Sequence, residues 1–143
     1  ASSRGGAQDI PTYRLDTGFF TFTAGEQVRI SVAELGTSTV GKVRVSILDE
    51  AERAIVPPRT LAFRRGAPAK FDLTLSSVPI RRLRFQLVFL NATRNTPIVT
   101  GEGFNPALDL VGTRFICLPP DPKQTPVTQA SCPGGAITDL TTR

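Results

Sequence analysis

No histidine occurs anywhere in this 143-residue chain. That gap removes the Ser-His-Asp and Cys-His arrangements of nucleophilic catalysis, the usual zinc-water sites and the blue-copper site. Methionine is absent too, which excludes thioether copper ligation. Tryptophan is missing and Tyr13 is the only tyrosine, so the aromatic platforms of nucleic-acid readers and many carbohydrate modules are scarce. No apolar run approaches the roughly 18 residues of a membrane helix; the longest, Leu87-Val88-Phe89-Leu90, is a buried strand at most. There is no Walker loop, and Gly101-Glu102-Gly103 lacks both the third glycine and the following helix of a dinucleotide site. The 12 acidic residues are scattered and suggest no facing pair of the glycosidase kind. Their one cluster, Asp49-Glu50-Ala51-Glu52, reads as a solvated hairpin turn, because calcium demands roughly 6–8 oxygen ligands. No catalytic set, metal or cofactor is expected.

What the chain has in quantity is alternation. Gln27-Val28-Arg29-Ile30-Ser31-Val32, Val43-Arg44-Val45-Ser46-Ile47, Phe71-Asp72-Leu73-Thr74-Leu75 and Leu83 to Leu90 each send apolar side chains one way and polar ones the other. Helical spacing is nowhere sustained. Turn signals such as Ala24-Gly25-Glu26, Leu35-Gly36-Thr37-Ser38, Pro57-Pro58 and Arg65-Gly66-Ala67-Pro68 separate the runs. The pattern predicts an all-β, two-sheet antiparallel β-sandwich of seven to nine strands, Ig-like or jelly-roll-like. Its expected core is Val28, Ile30, Val32, Val45, Ile47, Phe71, Leu73, Phe85 and Leu87. Residues 17–116 form this domain. Residues 1–16 read as an extended N-terminal arm and 117–143 as a Pro/Thr-rich segment; neither has the apolar content to fold alone.

The small polar start, Ala1 to Gln8, is of the kind left by signal-peptide removal. Cys117 and Cys132 flank a proline-rich stretch, and a bridge between them would suit an oxidising compartment. Secretion or display at the cell surface is therefore expected. The net charge of +5 comes from 14 Arg and 3 Lys against the 12 acids. Arg29, Arg44, Arg64, Arg65, Arg81, Arg82 and Arg84 are the candidates for one basic patch, with edge-protecting charge as the plainer alternative. If Leu83, Phe85, Leu87 and Phe89 face the core, Val88 and Leu90 face outward beside Leu48. Such an apolar patch requires a cover, from the chain's own tail or from a partner. Asn91-Ala92-Thr93 matches a glycosylation sequon and marks an accessible loop.

The run Thr17-Gly18-Phe19-Phe20-Thr21-Phe22-Thr23-Ala24-Gly25-Glu26-Gln27-Val28-Arg29-Ile30, with Arg65 to Leu73 later, resembles a loose class of bacterial exported sandwich modules. The resemblance covers about residues 17–111 and implies fold and location, not activity. Immunoglobulin hallmarks are missing, since no core Trp exists and both cysteines lie near the C-terminus.

Together these features suggest a non-enzymatic structural protein of the cell surface. It would be a self-assembling fibre or coat subunit, joined to copies of itself by a terminal strand added to a neighbour's sheet. Ile10, Tyr13 and Leu15 would anchor that arm, with Pro11 restricting it to an edge or bulge. The alternative is a monomeric exported module that binds acidic polysaccharide or envelope polymer through arginine; nucleic acid is disfavoured. Either way Cys117 and Cys132 should be bonded to each other, contributing about 3 kcal/mol for a loop of roughly 15 residues. Intact-mass measurement without reductant should show the chain two hydrogens lighter than after reduction, and two alkylatable thiols would refute the pairing.

Overall fold

The computed structural model describes residues 10–23, 25–74, 80–91, 96–105, 110–118 and 135–140. Among them ten strands form in chain order: β1 (Pro11–Asp16), β2 (Phe20–Thr23), β3 (Gln27–Glu34), β4 (Gly41–Leu48), β5 (Arg59–Phe63), β6 (Ala69–Thr74), β7 (Ile80–Leu90), β8 (Pro97–Asn105), β9 (Leu110–Cys117) and β10 (Ala136–Asp139). One sheet runs β10-β1-β7-β4-β5, with β2 also on β7; the other runs β6-β3-β8-β9. Every ladder is antiparallel. This is the expected two-sheet sandwich, with β1 and β10 added from segments read as tails. Among the described residues no helix is long and apolar enough to cross a membrane.

The inward phase is the one the alternation predicts. Val28, Ile30, Val32, Val45, Ile47, Phe71, Phe85 and Leu87 are all buried, and Leu73 packs half-buried against them. Phe22, Val43, Phe63, Leu83, Phe89, Val99 and Phe115 complete the contact between sheets. Gly101 faces Phe115 across the β8–β9 ladder. A methyl group at Gly101 would fall inside the Phe115 ring, so the glycine gives that ring its place against Phe20 and Phe85, at centroid distances of 5.0 and 5.4 Å.

β1 and β2 lie end to end along one edge of β7. Asp16 pairs with Gln86 and Phe20 with Leu83, so three residues, Thr17 to Phe19, oppose two. The mismatch is a bulge, and Thr17 holds it. Its N–H donates to the Phe85 carbonyl at 3.0 Å, and its hydroxyl accepts the Phe85 N–H at 2.9 Å.

Two expectations change here. The segment up to Asp16 is no free arm over its described part: β1 sits between β7 and β10 in its own sheet. Tyr13 and Leu15 are each only 4% exposed, and Ile10, though its side chain is exposed, is tied through its backbone to Asn91. The physical reason is that Tyr13 and Leu15 alternate in phase with β7 and fill the sandwich end. Residues 1–9 lie outside the described residues. Nor do Leu48, Val88 and Leu90 form an exposed patch. Leu48 and Leu90 are buried at opposite ends of the outer face, and Val88 is half-buried between Arg14 and Arg44. The turn after β4 folds back over Leu48, bridging it to Ala54.

Tyr13 carries an anomaly in this core. Its ring stacks on Phe89 at 4.7 Å, yet its hydroxyl is buried without a hydrogen-bond partner among the described residues. Burial, and then the charge of Glu34, push its pKa far above the ordinary 10.0. A raised folded-state value means stability that is complete below pH 10.0 and is lost as pH climbs beyond it. Because Tyr13 is the only tyrosine and there is no tryptophan, tyrosinate absorbance reports this group alone. It should stay silent past its ordinary value and appear only in step with loss of the β-sheet circular-dichroism signal. Ionisation near 10.0 with the fold intact would show an open hydroxyl.

Candidate functional site

Alternation along β3 sends Gln27, Arg29 and Ser31 to the outer face of the four-stranded sheet. β3 is central there, so each outward residue has a partner on both sides. Arg29 lies opposite Asp72 of β6 and Glu102 of β8, and Gln27 opposite Phe104. These five side chains line a shallow depression of about 180 Å³. Arg29 Nε donates to Asp72 Oδ1 at 2.8 Å and Nη2 to Oδ2 at 3.4 Å. The Asp72 hydrogen bond, and the charges of Asp72 and Glu102, raise the arginine's pKa against a small cost of burial. Glu102, Gln27 and Phe104 are half-buried. Among the described residues neither the Glu102 carboxylate nor the Gln27 amide has a hydrogen-bond partner.

The outer face of the six-stranded sheet is tied up instead. Asp16 accepts from Arg14 Nε at 2.8 Å, from Arg84 Nη1 at 3.0 Å and from Gln86 Nε2 at 3.0 Å. Burial opposes its charge, but these bonds outweigh burial and hold its carboxyl below the ordinary value. Arg84 also grips Glu52, which its hydrogen bonds likewise hold below the ordinary range. Glu52 adopts φ 62°, a conformation uncommon outside glycine. Glu50 pairs with Arg82 at 3.1 Å and Asp49 with Arg53 at 3.8 Å. Each acid of the 49–52 turn thus answers an arginine.

The expected basic patch is therefore not one surface. Arg29 lies on one outer face, and Arg44, Arg82 and Arg84 on the other. Arg64 and Arg65 occupy the turn between β5 and β6. The Arg81 side chain lies outside the description, though its backbone pairs with Phe22. The sandwich divides these residues because β3, which carries Arg29, and β4 and β7, which carry Arg44, Arg82 and Arg84, belong to different sheets, and the acidic turn neutralises part of what remains. Cys117 is 1% exposed and is not a free thiol; Cys132 lies outside the described residues.

Sequence reasoning missed a second cluster at one end of the sandwich. Gly101 pairs with Phe115 and Glu102 with Thr113, which leaves Arg114 as the extra residue of a bulge. Its guanidinium reaches Glu26 at 2.6 Å and lies 5.3 Å from the Phe22 ring centre. Glu26 also accepts from the Thr23 N–H at 2.8 Å. Two glycines, Gly103 and Gly112, face each other below the guanidinium. The readable signal was two facing glycines in consecutive strands, one of them two residues before an arginine.

No family model, curated protein or solved structure matches this chain. The chemistry of its surface therefore rests on the geometry. The Asp and Glu side chains just described pair with arginines, and Glu34 is held by the Gly36, Thr37 and Thr96 N–H groups. Glu102 stands apart, and it faces the depression.

The Arg114 slot is testable by crowding it. A methyl at Gly103 would lie 2.7 Å from Glu26 Oε2 and 3.0 Å from Arg114 Nη2. Gly103→Ala should destabilise the domain by about 1–3 kcal/mol in chemical denaturation. In the Arg114→Ala background the same change should cost less, since the guanidinium contact is gone and the Glu26 carboxylate that it held is free to swing away from the methyl. Equal costs in both backgrounds would show that the guanidinium does not fill the slot.

Proposed function

We propose that this domain is a non-enzymatic, exported module that acts as a monomer and binds envelope or extracellular polysaccharide on the outer face of its four-stranded sheet. The observation that carries this reading is the depression over Arg29, where three strands converge polar groups and two of those groups lack a partner among the described residues. Concave sites with a few convergent polar groups are the usual form of a binding site. The lack of histidine, and the bonding of Asp72 to Arg29 that leaves Glu102 as the lone unengaged carboxylate of the depression, support binding over glycoside hydrolysis, which needs a pair of carboxyl groups. The buried, non-free Cys117 supports an oxidising location.

Assembly through a lent strand ranks behind. Moving β1 to a neighbour would break two ladders and uncover Tyr13 and Leu15, each worth about 1.5–3 kcal/mol of burial. The swap must recover all of that before it stabilises anything.

Two measurements test this reading. Sedimentation velocity over a wide concentration range should give one species near 15.4 kDa. Incubated with insoluble cell-wall polysaccharides, the full chain should move onto at least one of them and release no soluble sugar. Concentration-dependent polymers, sugar release, or failure to bind any polysaccharide would each overturn it.

A further inference from the structure

The depression on the four-stranded sheet has a composition that selects among polysaccharides. Its charges are one guanidinium, already bonded to Asp72, and two carboxylates, Asp72 and Glu102. A uronate or sulfate placed there would meet two like charges and a cation whose Nε and Nη2 are engaged, an arrangement that penalises anions. Of its five lining side chains, Glu102, an acceptor, and Gln27, both donor and acceptor, are unengaged among the described residues. Arg29 Nη1 adds a donor, since its Nε and Nη2 serve Asp72. Acceptors and donors in that mixture match hydroxyl groups, which are both.

Phe104 supplies the remaining feature. It is one of two phenylalanines, with Phe19, that lie outside the core and its margin. The Phe19 ring is already covered by the Arg82 guanidinium at 5.3 Å, whereas the Phe104 ring borders the depression. An aromatic face carries partial negative charge and attracts the weakly positive C–H face of a pyranose ring. The depression, about 180 Å³, is smaller than the roughly 300–1,000 Å³ of a drug-sized pocket. It has room for one ring.

We infer that the depression formed by Gln27, Arg29, Asp72, Glu102 and Phe104 binds one ring of an uncharged polysaccharide, stacking it on Phe104 and holding its hydroxyls with Glu102, Gln27 and Arg29. This rests on the polysaccharide-binding reading above, and it replaces the acidic ligand with a neutral one.

The test uses the full chain and glucose-, mannose-, galactose- and N-acetylglucosamine-based oligosaccharides, with polygalacturonate and a lysine-rich peptide as the charged arms. Binding is followed by calorimetry and by the nuclear magnetic resonance shift of the Gln27 side-chain amide. At least one neutral oligosaccharide should bind, with little dependence on salt, and should shift that amide. Phe104→Ala and Glu102→Gln should each weaken binding about tenfold or more. Both positions are half-buried on the outer face, and unchanged circular dichroism will separate lost binding from lost fold; Gln27→Ala offers a third variant should Phe104→Ala unfold. If polygalacturonate binds instead, with strong salt dependence and indifference to Phe104 and Glu102, this inference fails while polysaccharide binding stands. If only the lysine-rich peptide binds, or nothing does, both fail.

Discussion

The phase of β7 is the constraint from which the six-stranded sheet follows. Leu83, Phe85, Leu87 and Phe89 face inward at no more than 1% exposure, and a slip of one residue would turn all four to solvent. That phase obliges β4 on one side and β1 with β2 on the other to match it. On the second side the match cannot be unbroken, because Tyr13 and Leu15 lie out of step with Phe20 and Phe22. The bulge at Thr17 absorbs the difference. Its hydroxyl takes the place of a main-chain acceptor for the Phe85 N–H, so the break does not leave that buried donor unpaired.

The same phase sets where charge goes. With 14 arginines and 12 acids, a sandwich of this size must place many cations on two outer faces, and cross-strand neighbours of opposite sign are the stable solution. On the six-stranded sheet that solution is nearly complete, with Asp16 gathering Arg14 and Arg84 and the 49–52 turn folding back over Arg82 and Arg84. Individually such exposed pairs contribute little. Their larger consequence is to remove arginine from the pool available to an anionic ligand. On the four-stranded sheet the matching is incomplete, since Arg29 has two acidic neighbours and bonds to one of them. That imbalance, on a concave patch beside the Phe104 ring, is the ground on which the binding surface is proposed.

Arg114 and the Tyr13 hydroxyl meet the apolar interior in opposite ways. At one end Arg114 enters through a slot that Gly103 and Gly112 leave open, and Glu26 and Phe22 receive its charge. The Tyr13 hydroxyl, buried beside Val99 and Cys117, has no such reception among the described residues. The guanidinium is compensated and the hydroxyl is held in place by the packing of its ring on Phe89.

The fold class and the inward set were legible because a half-buried strand writes itself as a period of two, and β3, β4, β6 and β7 keep that period without interruption. β1 was harder to see: Pro11 and the short Thr12 to Asp16 segment resemble a tail until β7 and β10 are placed beside it. The expected basic patch failed for a related reason, since residues adjacent in the sequence pattern, Arg29 and Arg44, belong to strands of opposite sheets. The candidate site was hidden most completely. Gln27, Arg29, Asp72, Glu102 and Phe104 span three strands separated by long stretches of chain, and none forms a motif. By itself the sequence determined periodicity, and therefore sheet layers and core, because burial of alternate residues is a local demand on each strand. The tertiary structure alone decided which strands became neighbours, and so which arginines found acids and which polar groups stayed unengaged, because cross-strand register is a contact between distant segments.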